Sequence, residues 1–562
     1  MSNHIRGRKL RPLFIVPVVL TAALITSGCG AGEPAAGPEG TGAPAEGLEP
    51  QFGGDLRVTF SDDDGCRDSN QSSRHESRII SRQIVDNLTD QDPVTGEIKP
   101  WIAESWEISP DASEYTFFLQ EGVTFSDGAP FDAEAVKTAF DGIVELGARS
   151  VLGYSYLASN YVETEVIDDR TVTVRFDRPN VQFLQATSSP TLGILSPASY
   201  EKTPEERCAG DFAGSGAFVL DSYVPNTSVK LVKRDDYAWN SSVYEHTGPA
   251  YVDTITFDFI SEVGVRVGEF VQGRTHIDNA RRPSSTQTQY SDAEFAQIAA
   301  TGATAVRRGI PGVSILAPNV TRFPFDNPVV REAFQHALDR EEYAIVLFDK
   351  EKKPAEGVLA AATPGYVAYP RETSFDLDRV DALLTGDGWA KNAEGIWEKD
   401  GRPLVVYQNA TSTGADGDLL QAQLKAAGFD LQRRIITQAQ STELSQAGDW
   451  DLTGAVVTRA DADLIRNYYD IAVGHVIAKF SVPEQTQSVL RELFDRSLAA
   501  VDTEERNGVF TEIQDLLIAE NIVFPQNDRE LTAAYQPSVH GFEWTAESFF
   551  HLHGVWIDES AR

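Results

Sequence analysis

The chain has 562 residues, room for about two to four domains at roughly 100–200 residues each. Hydrophobic residues make up 41% and charged residues 23%, values that exclude a largely disordered or fibrous chain. Acidic residues outnumber basic ones 84 to 48, a net charge of −36, and no basic patch lies beyond the extreme N-terminus. Such a surface repels phosphate backbones, so no nucleic-acid partner is expected.

At the start, Arg6, Arg8, Lys9 and Arg11 precede an apolar stretch from Leu13 to Ile25 and then Thr26-Ser27-Gly28-Cys29. A cationic end, a short apolar core and small residues before a cleavage point mark residues 1–28 as a secretory signal, too short for a comfortable membrane span. A Cys directly after small residues resembles the lipobox of bacterial lipoproteins. That resemblance implies a lipid-modified Cys29 and a protein held on the extracytoplasmic face of the cell membrane. Residues 29–50 are almost entirely Gly, Ala, Pro, Glu and Thr, which reads as a flexible tether. No later stretch reaches the roughly 18 apolar residues of a spanning helix. Cys66 and Cys208 are the cysteines left. In an exported protein they are expected to pair, the alternative being two buried free thiols.

Taken in order, Asp55–Phe60 alternates as a strand. Residues 114–125, EYTFFLQEGVTF, put Tyr115, Phe117 and Leu119 on one face, the mark of a half-buried strand. Asp127-Gly128 turns the chain, and 131–143 carries Ala133, Val136, Phe140 and Ile143 at helical spacing. Residues 171–176 alternate again with Val172, Val174 and Phe176 inward, and Ser228–Lys233 and 254–260 read as further strands.

The second half has another rhythm. Asp326-Asn327-Pro328 opens a helix with Val330, Phe334, Ala337 and Leu338 on one face, Pro suiting the first turn. Strand 404–407, helix 419–427 closed by Gly428 and strand 429–436 form a βαβ unit, which predicts a parallel pair. Two long helices follow at about 486–500 and 503–520, the second opened by Asp502-Thr503-Glu504-Glu505. Short strands return over 530–558. The pattern predicts an α/β lobe inserted into a mixed α+β body.

The run GEIKPWIAESWEISPDASEYTFFLQEGVTFSDGAPFDAEAVKTAFDGI at 96–143 resembles the signature of extracytoplasmic solute-binding proteins of ABC importers, family 5, the oligopeptide, dipeptide and nickel class. GSGAF at 214–218, VKLVKRDDYAWN at 229–240, FDNPVVREAFQHALDREE at 325–342, AGFDL at 427–431 and the helix with Asp502 and Arg506 continue the resemblance in order. It implies a two-lobed periplasmic-binding-protein-like fold of class II that closes over a ligand. Residues 51–75, 206–312 and 526–562 would form lobe I, 76–205 its extra subdomain and 313–525 lobe II. The implied partners are a small solute, a peptide or peptide-like molecule, and an ABC permease with its ATPase; a monomer is expected.

In related peptide receptors an Asp of a W-x-x-D-type segment pairs with the peptide α-amino group. The matching stretch, VTRADAD at 457–463, makes Asp461 the candidate for that role. Arg459 offers a planar fork to a ligand carboxylate, and Asp463 stands beside both. An internal Arg–Asp pair is the structural alternative. Tyr154, Tyr156, Tyr468 and Tyr469 are candidate stacking walls or core. The acidic and amide groups of SDDDGCRDSNQSS at 61–73 would suit a cationic or polyol ligand if they face the cleft, or form a plain exposed loop if they do not.

No GxSxG elbow, P-loop or HExxH is present, so no enzyme activity and no cofactor are expected. His551-Leu552-His553 puts two imidazoles on one side of an extended segment, without the further ligands a metal needs, so no metal is expected. The alternatives are a receptor for a non-peptide solute (a metal chelate, a sugar or an opine-like molecule), an extracytoplasmic hydrolase using two carboxylates, and a receptor that only signals.

Overall fold

The computed structural model describes residues 48–558 apart from 73, 158–159, 281–289, 348–352 and 412. The secretory signal, Cys29 and nearly all of the tether lie outside the described residues. Among those described, no helix is long and apolar enough to cross a membrane.

A ten-stranded mixed sheet carries the fold. From one edge its strands are Asp430–Ile435, Val405–Ala410, Leu452–Thr458, Thr304–Pro318, Phe524–Tyr535, Ile277–Asn279, Asp55–Phe60, Thr254–Phe259, Ser228–Lys233 and Phe218–Val224. The expected βαβ unit is present: Val405–Ala410 and Asp430–Ile435 run parallel, joined through helix Ala415–Ala426. Gly428 ends that helix at φ +89, a conformation that favours glycine. Helix Pro328–His336 is capped by the Asn327 side chain, and helix Thr503–Ala519 by Asp502, which accepts from the Glu505 N–H.

Two long strands, Thr304–Pro318 and Phe524–Tyr535, pair antiparallel at the centre. Their N- and C-terminal halves belong to different cores. Ile310, Leu531, Ala533 and Tyr535 pack with Leu56, Val58 and Phe257. Val313, Ile315 and Ala317 pack with Phe494, Phe510 and Leu517, while Leu316 and Phe524 join Phe334 and Phe429. These strands are therefore the crossings between two bodies. Their ladder loses register between Gly309 and Val313, opposite Asp528–Glu530. Pro311 has no N–H to give to a ladder, so a break here follows from the sequence Gly309-Ile310-Pro311-Gly312.

The first body also carries a four-stranded antiparallel sheet in the order Ala103–Ile108, Glu114–Leu119, Thr171–Phe176, Tyr161–Asp168. Tyr115, Phe117, Leu119, Val172, Val174 and Phe176 are buried in it as the alternation requires. They share one continuous core with Leu56 and Phe257. Helix His75–Ile84 is seated against this body by close backbone approach. A Cβ on Gly214 would come within 2.2 Å of the Ile84 carbonyl oxygen, and the Gly216 N–H donates to that oxygen at 2.8 Å. Cys66 and Cys208 are bonded to each other, 142 residues apart in the chain.

Candidate functional site

The strand Leu452–Thr458 runs out at the junction of the two bodies, and the chain turns there into helix Leu464–Tyr469. The Arg459 N–H donates to the Pro311 carbonyl at 2.9 Å, which ties this turn to the register break in the crossing strands. The Arg459 side chain is buried at 1% exposure. Its Nη1 donates to Asp463 Oδ2 at 3.1 Å and its Nε to Gln185 Oε1 at 3.3 Å. Its guanidinium lies 4.3 Å from the Tyr156 ring centre. Nη2 has no partner among the described residues.

Asp463 also serves Arg466, whose Nε and Nη2 reach its two oxygens at 2.9 and 3.0 Å. One carboxylate is thus divided between two guanidiniums. Asp461 is engaged differently. Arg506 donates to both of its oxygens, at 2.7 and 2.9 Å, and the Asp463 N–H adds 2.7 Å to Oδ1. Burial on its own would raise the Asp461 pKa; the charge and hydrogen bonds of Arg506 override it and hold the group below the usual carboxylate range.

The facing wall belongs to the first body. Arg78 of helix His75–Ile84 donates from Nη2 to Glu547 Oε2 at 2.8 Å and to Ser189 Oγ at 3.0 Å. Ser189 in turn donates to the same Glu547 oxygen at 3.0 Å. Glu547 sits at the tip of a short hairpin, Glu543–Trp544 with Phe550–His551, where Ser548 takes φ +63. Phe549 at that tip lies under the Arg78 guanidinium at 4.5 Å. Glu547 is 4% exposed, and its Oε1 has no partner among the described residues. Burial pushes the Tyr156 pKa up against the pull of Arg459. Two glutamines bridge the walls: Gln185 Nε2 donates to Gln91 Oε1 at 3.3 Å and Gln91 Nε2 to the Ala460 carbonyl at 3.2 Å.

Of the residues singled out from sequence, Arg459, Asp461, Asp463 and Tyr156 come together here. Tyr468 and Tyr469 belong to the core of the second body, Tyr468 edge-on to His475 at 4.9 Å. Tyr154 is 38% exposed and stands apart. The expected ammonium partner, Asp461, has neither oxygen spare, because Arg506, 45 residues downstream, takes both. The internal Arg–Asp alternative describes Asp463. The acidic 61–73 loop turns its carboxylates inward to Arg67, Arg207 and neighbouring hydroxyls. Arg78, Glu547, Ser189, Gln185 and Gln91 carry no local sequence signal, and reasoning along the chain missed them. His551 and His553 are buried, His553 against the Gly248 carbonyl. The enclosed cavity beside them, lined also by Arg82 and Tyr244, is about 20 Å³, room for about one water and no solute. Among the described residues no group of three or more His, Cys, Asp or Glu is placed to hold a metal ion.

Chemically this junction presents a buried N–H donor on a guanidinium that packs on an aromatic ring, and a buried carboxylate oxygen, both without partners among the described residues. That is equipment for holding a polar solute out of water. The comparisons with known proteins agree. The family model for bacterial extracellular solute-binding proteins, family 5, matches residues 97–470. The glutathione-binding protein GsiB of Escherichia coli K12 is 25% identical over 469 residues, covering 79% of this chain and 83% of its own. NikA from Brucella suis, solved in complex with Fe(III)-EDTA, superposes with a TM-score of 0.76 at 21% identity, covering 90% of this chain and 100% of its own. AppA from Bacillus subtilis, solved with a nonapeptide, superposes with a TM-score of 0.72 at 18% identity, covering 91% of this chain and 100% of its own. The fold is the two-lobed one of these structures. With a crossing-strand architecture, a polar junction and a family model matched over more than half its length, this chain belongs to the bacterial extracellular solute-binding proteins of family 5.

Proposed function

We propose that the chain is the lipid-anchored receptor of an ABC importer. It captures a small peptide-like solute as two lobes close, and hands it to a permease driven by an ATPase. Lobe I takes residues 51–75, 206–312 and 526–562 with the 76–205 subdomain; lobe II takes 313–525; Cys29 carries the lipid. Closure suits import because the closed, loaded form is what a permease recognises.

The observation that carries the solute reading is Arg459. It is a fully buried guanidinium, tethered to the break in the crossing strands, with a share in one carboxylate and a bare Nη2. A buried donor left unmade costs about 1–3 kcal/mol, and a solute carboxylate docking on it would remove that cost. Tyr156 supplies the stacking face, while Asp461 and Asp463 act from behind by fixing Arg506, Arg466 and Arg459. Similarity to a glutathione-binding protein and to a nonapeptide complex supports a peptide-like solute. The same bare guanidinium also suits a carboxylate-rich chelate, and NikA was solved with Fe(III)-EDTA.

Native mass spectrometry of the exported protein, gently purified, tests the choice. A ladder of bound masses spaced by amino-acid residues, or a single mass of a small peptide, supports the peptide-like reading. One discrete non-peptide mass replaces it with a dedicated receptor.

A further inference from the structure

We propose that Glu547 receives the ammonium group of the solute. On this assignment the site reads a zwitterion, amine toward the hairpin of the first body and carboxylate toward Arg459 of the second. The inference rests on the peptide-like reading above and deepens it.

Three carboxylates, Asp461, Asp463 and Glu547, are grouped with Arg459 and Arg78, while Asp528 and Glu530 lie on the crossing strand opposite the break. Both oxygens of Asp461 accept from Arg506, and both oxygens of Asp463 accept from Arg466 with Arg459 sharing one. Glu547 alone of the three keeps an oxygen without a donor, and that oxygen is buried. A buried carboxylate oxygen with no hydrogen bond is unfavourable and calls for a missing partner. The missing partner is a cation or an N–H donor; Arg78 Nε is also without a partner among the described residues, and its guanidinium reaches Glu547 through Nη2 on Oε2 alone.

The rest of the wall is built to aim that oxygen. Arg78 and Ser189 both hold Oε2, at 2.8 and 3.0 Å, so the carboxylate cannot rotate to pair Oε1 internally without giving up a bond. Arg78 is itself pinned over Phe549. Ser548 in the left-handed region fixes the hairpin tip that presents Glu547. The unmet donor, Arg459 Nη2, belongs to the guanidinium that covers the Tyr156 ring, and the same tyrosine feels the charge of Glu547. An unmet acceptor and an unmet donor that both neighbour Tyr156 are complementary to a molecule with an ammonium at one end and a carboxylate at the other. A zwitterion satisfies both walls without adding net charge to a dry interface, which a simple cation or anion would do.

The test uses the full exported chain and isothermal titration with glutathione and Ala-Ala, each in free, N-acetylated and C-amidated form. In the unmodified protein, N-acetylation and C-amidation are each expected to weaken binding tenfold or more. Glu547→Gln should abolish the penalty for N-acetylation and keep the penalty for amidation; Arg459→Lys should do the reverse. Glu547→Asp, which keeps the charge beside Arg78, should restore part of the preference for the free amine and guards against a folding defect in Glu547→Gln. If the N-acetyl penalty survives in Glu547→Gln and vanishes in Asp461→Asn, the amine sits on Asp461 and this proposal fails while the peptide-like reading stands. If no free probe binds the unmodified protein, both fall together.

Discussion

Two acidic regions of this protein look alike in sequence and differ in kind. In the 61–73 loop, Asp62, Asp63, Asp64 and Asp68 crowd together, yet each oxygen of each carboxylate accepts a hydrogen bond. Asp62 is met by Ser61 and Arg74, and Asp63 by Gly65, Arg67, Tyr223 and Asn226. Asp64 is met by Cys66, Arg67, Ser72 and Ser77. Asp68 is met by Asn70, Gln71 and Arg207. The Cys66–Cys208 bond closes the knot. At the junction of the two bodies there are fewer carboxylates, and Glu547 and Arg459 are left incomplete. In the loop the unpartnered buried side-chain atoms among the described residues are Arg67 Nε and Nη1 and Ser69 Oγ, never a carboxylate oxygen; at the junction a carboxylate oxygen is among them.

The strongest way to break that contrast is to undo the knot. Replacing both Cys66 and Cys208 by Ala, or reducing the bond, frees a long loop and should cost about 4–5 kcal/mol of stability in the chain-entropy picture. Denaturant melts with and without reductant measure it, and an unchanged midpoint would mean that the knot holds without its bond. Next comes Arg506→Ala, which strips a buried carboxylate of its partner. We expect about 3–5 kcal/mol of destabilisation, with solute affinity changed less than threefold if the solute rests on Arg459 and Glu547 as proposed. A large loss of affinity at little cost in stability would move Asp461 into the site.

A third effect separates the regions by pH. Burial lowers the His553 pKa to about 4, below the ordinary value of about 6.5. The unfolded chain therefore binds the proton more readily, and stability falls as pH drops from about 6.5 to 4, by up to about 3 kcal/mol from this residue. Asp63 and Asp461 behave otherwise. Burial raises them, but the Tyr223 and backbone hydrogen bonds of Asp63, and Arg506 beside Asp461, leave both below the ordinary carboxylate value. Their stabilisation is present above the unfolded pKa and is lost only as pH falls below about 4. His553→Gln should reduce the slope of the melting profile between about pH 6.5 and 4, the remainder coming from His551, His246 and His475, which burial also lowers, and leave the loss below it. The smallest effect is expected from Asp62→Asn. Its partner Arg74 is half exposed, so the pair is worth at most about 1 kcal/mol, and solute binding should not respond.

Much of the frame was legible because it is local. Gly428 and the apolar spacing around it announced the βαβ unit, and Asp502 its helix, since caps and periodicity act within a few residues. The crossing strand Thr304–Pro318 was not legible: Gly309, Pro311 and Gly312 interrupt any strand pattern, and only pairing on both sides makes the segment a strand. Of the proposed site, the 457–463 segment stands out in the sequence, but which of its charges pair internally depends on partners far along the chain. Arg506 is 45 residues from Asp461, and Arg78 is 469 from Glu547. Burial and long-range pairing decide which charge is spare, and neither is written in the neighbourhood of the residue.

The most direct measurement is a crystal structure of the exported protein with its solute bound. The account predicts solute density across Tyr156, with a carboxylate on Arg459 Nη2 and an amine on Glu547 Oε1. Density lodged against the 61–73 loop, or with its amine on Asp461 after release of Arg506, would contradict it.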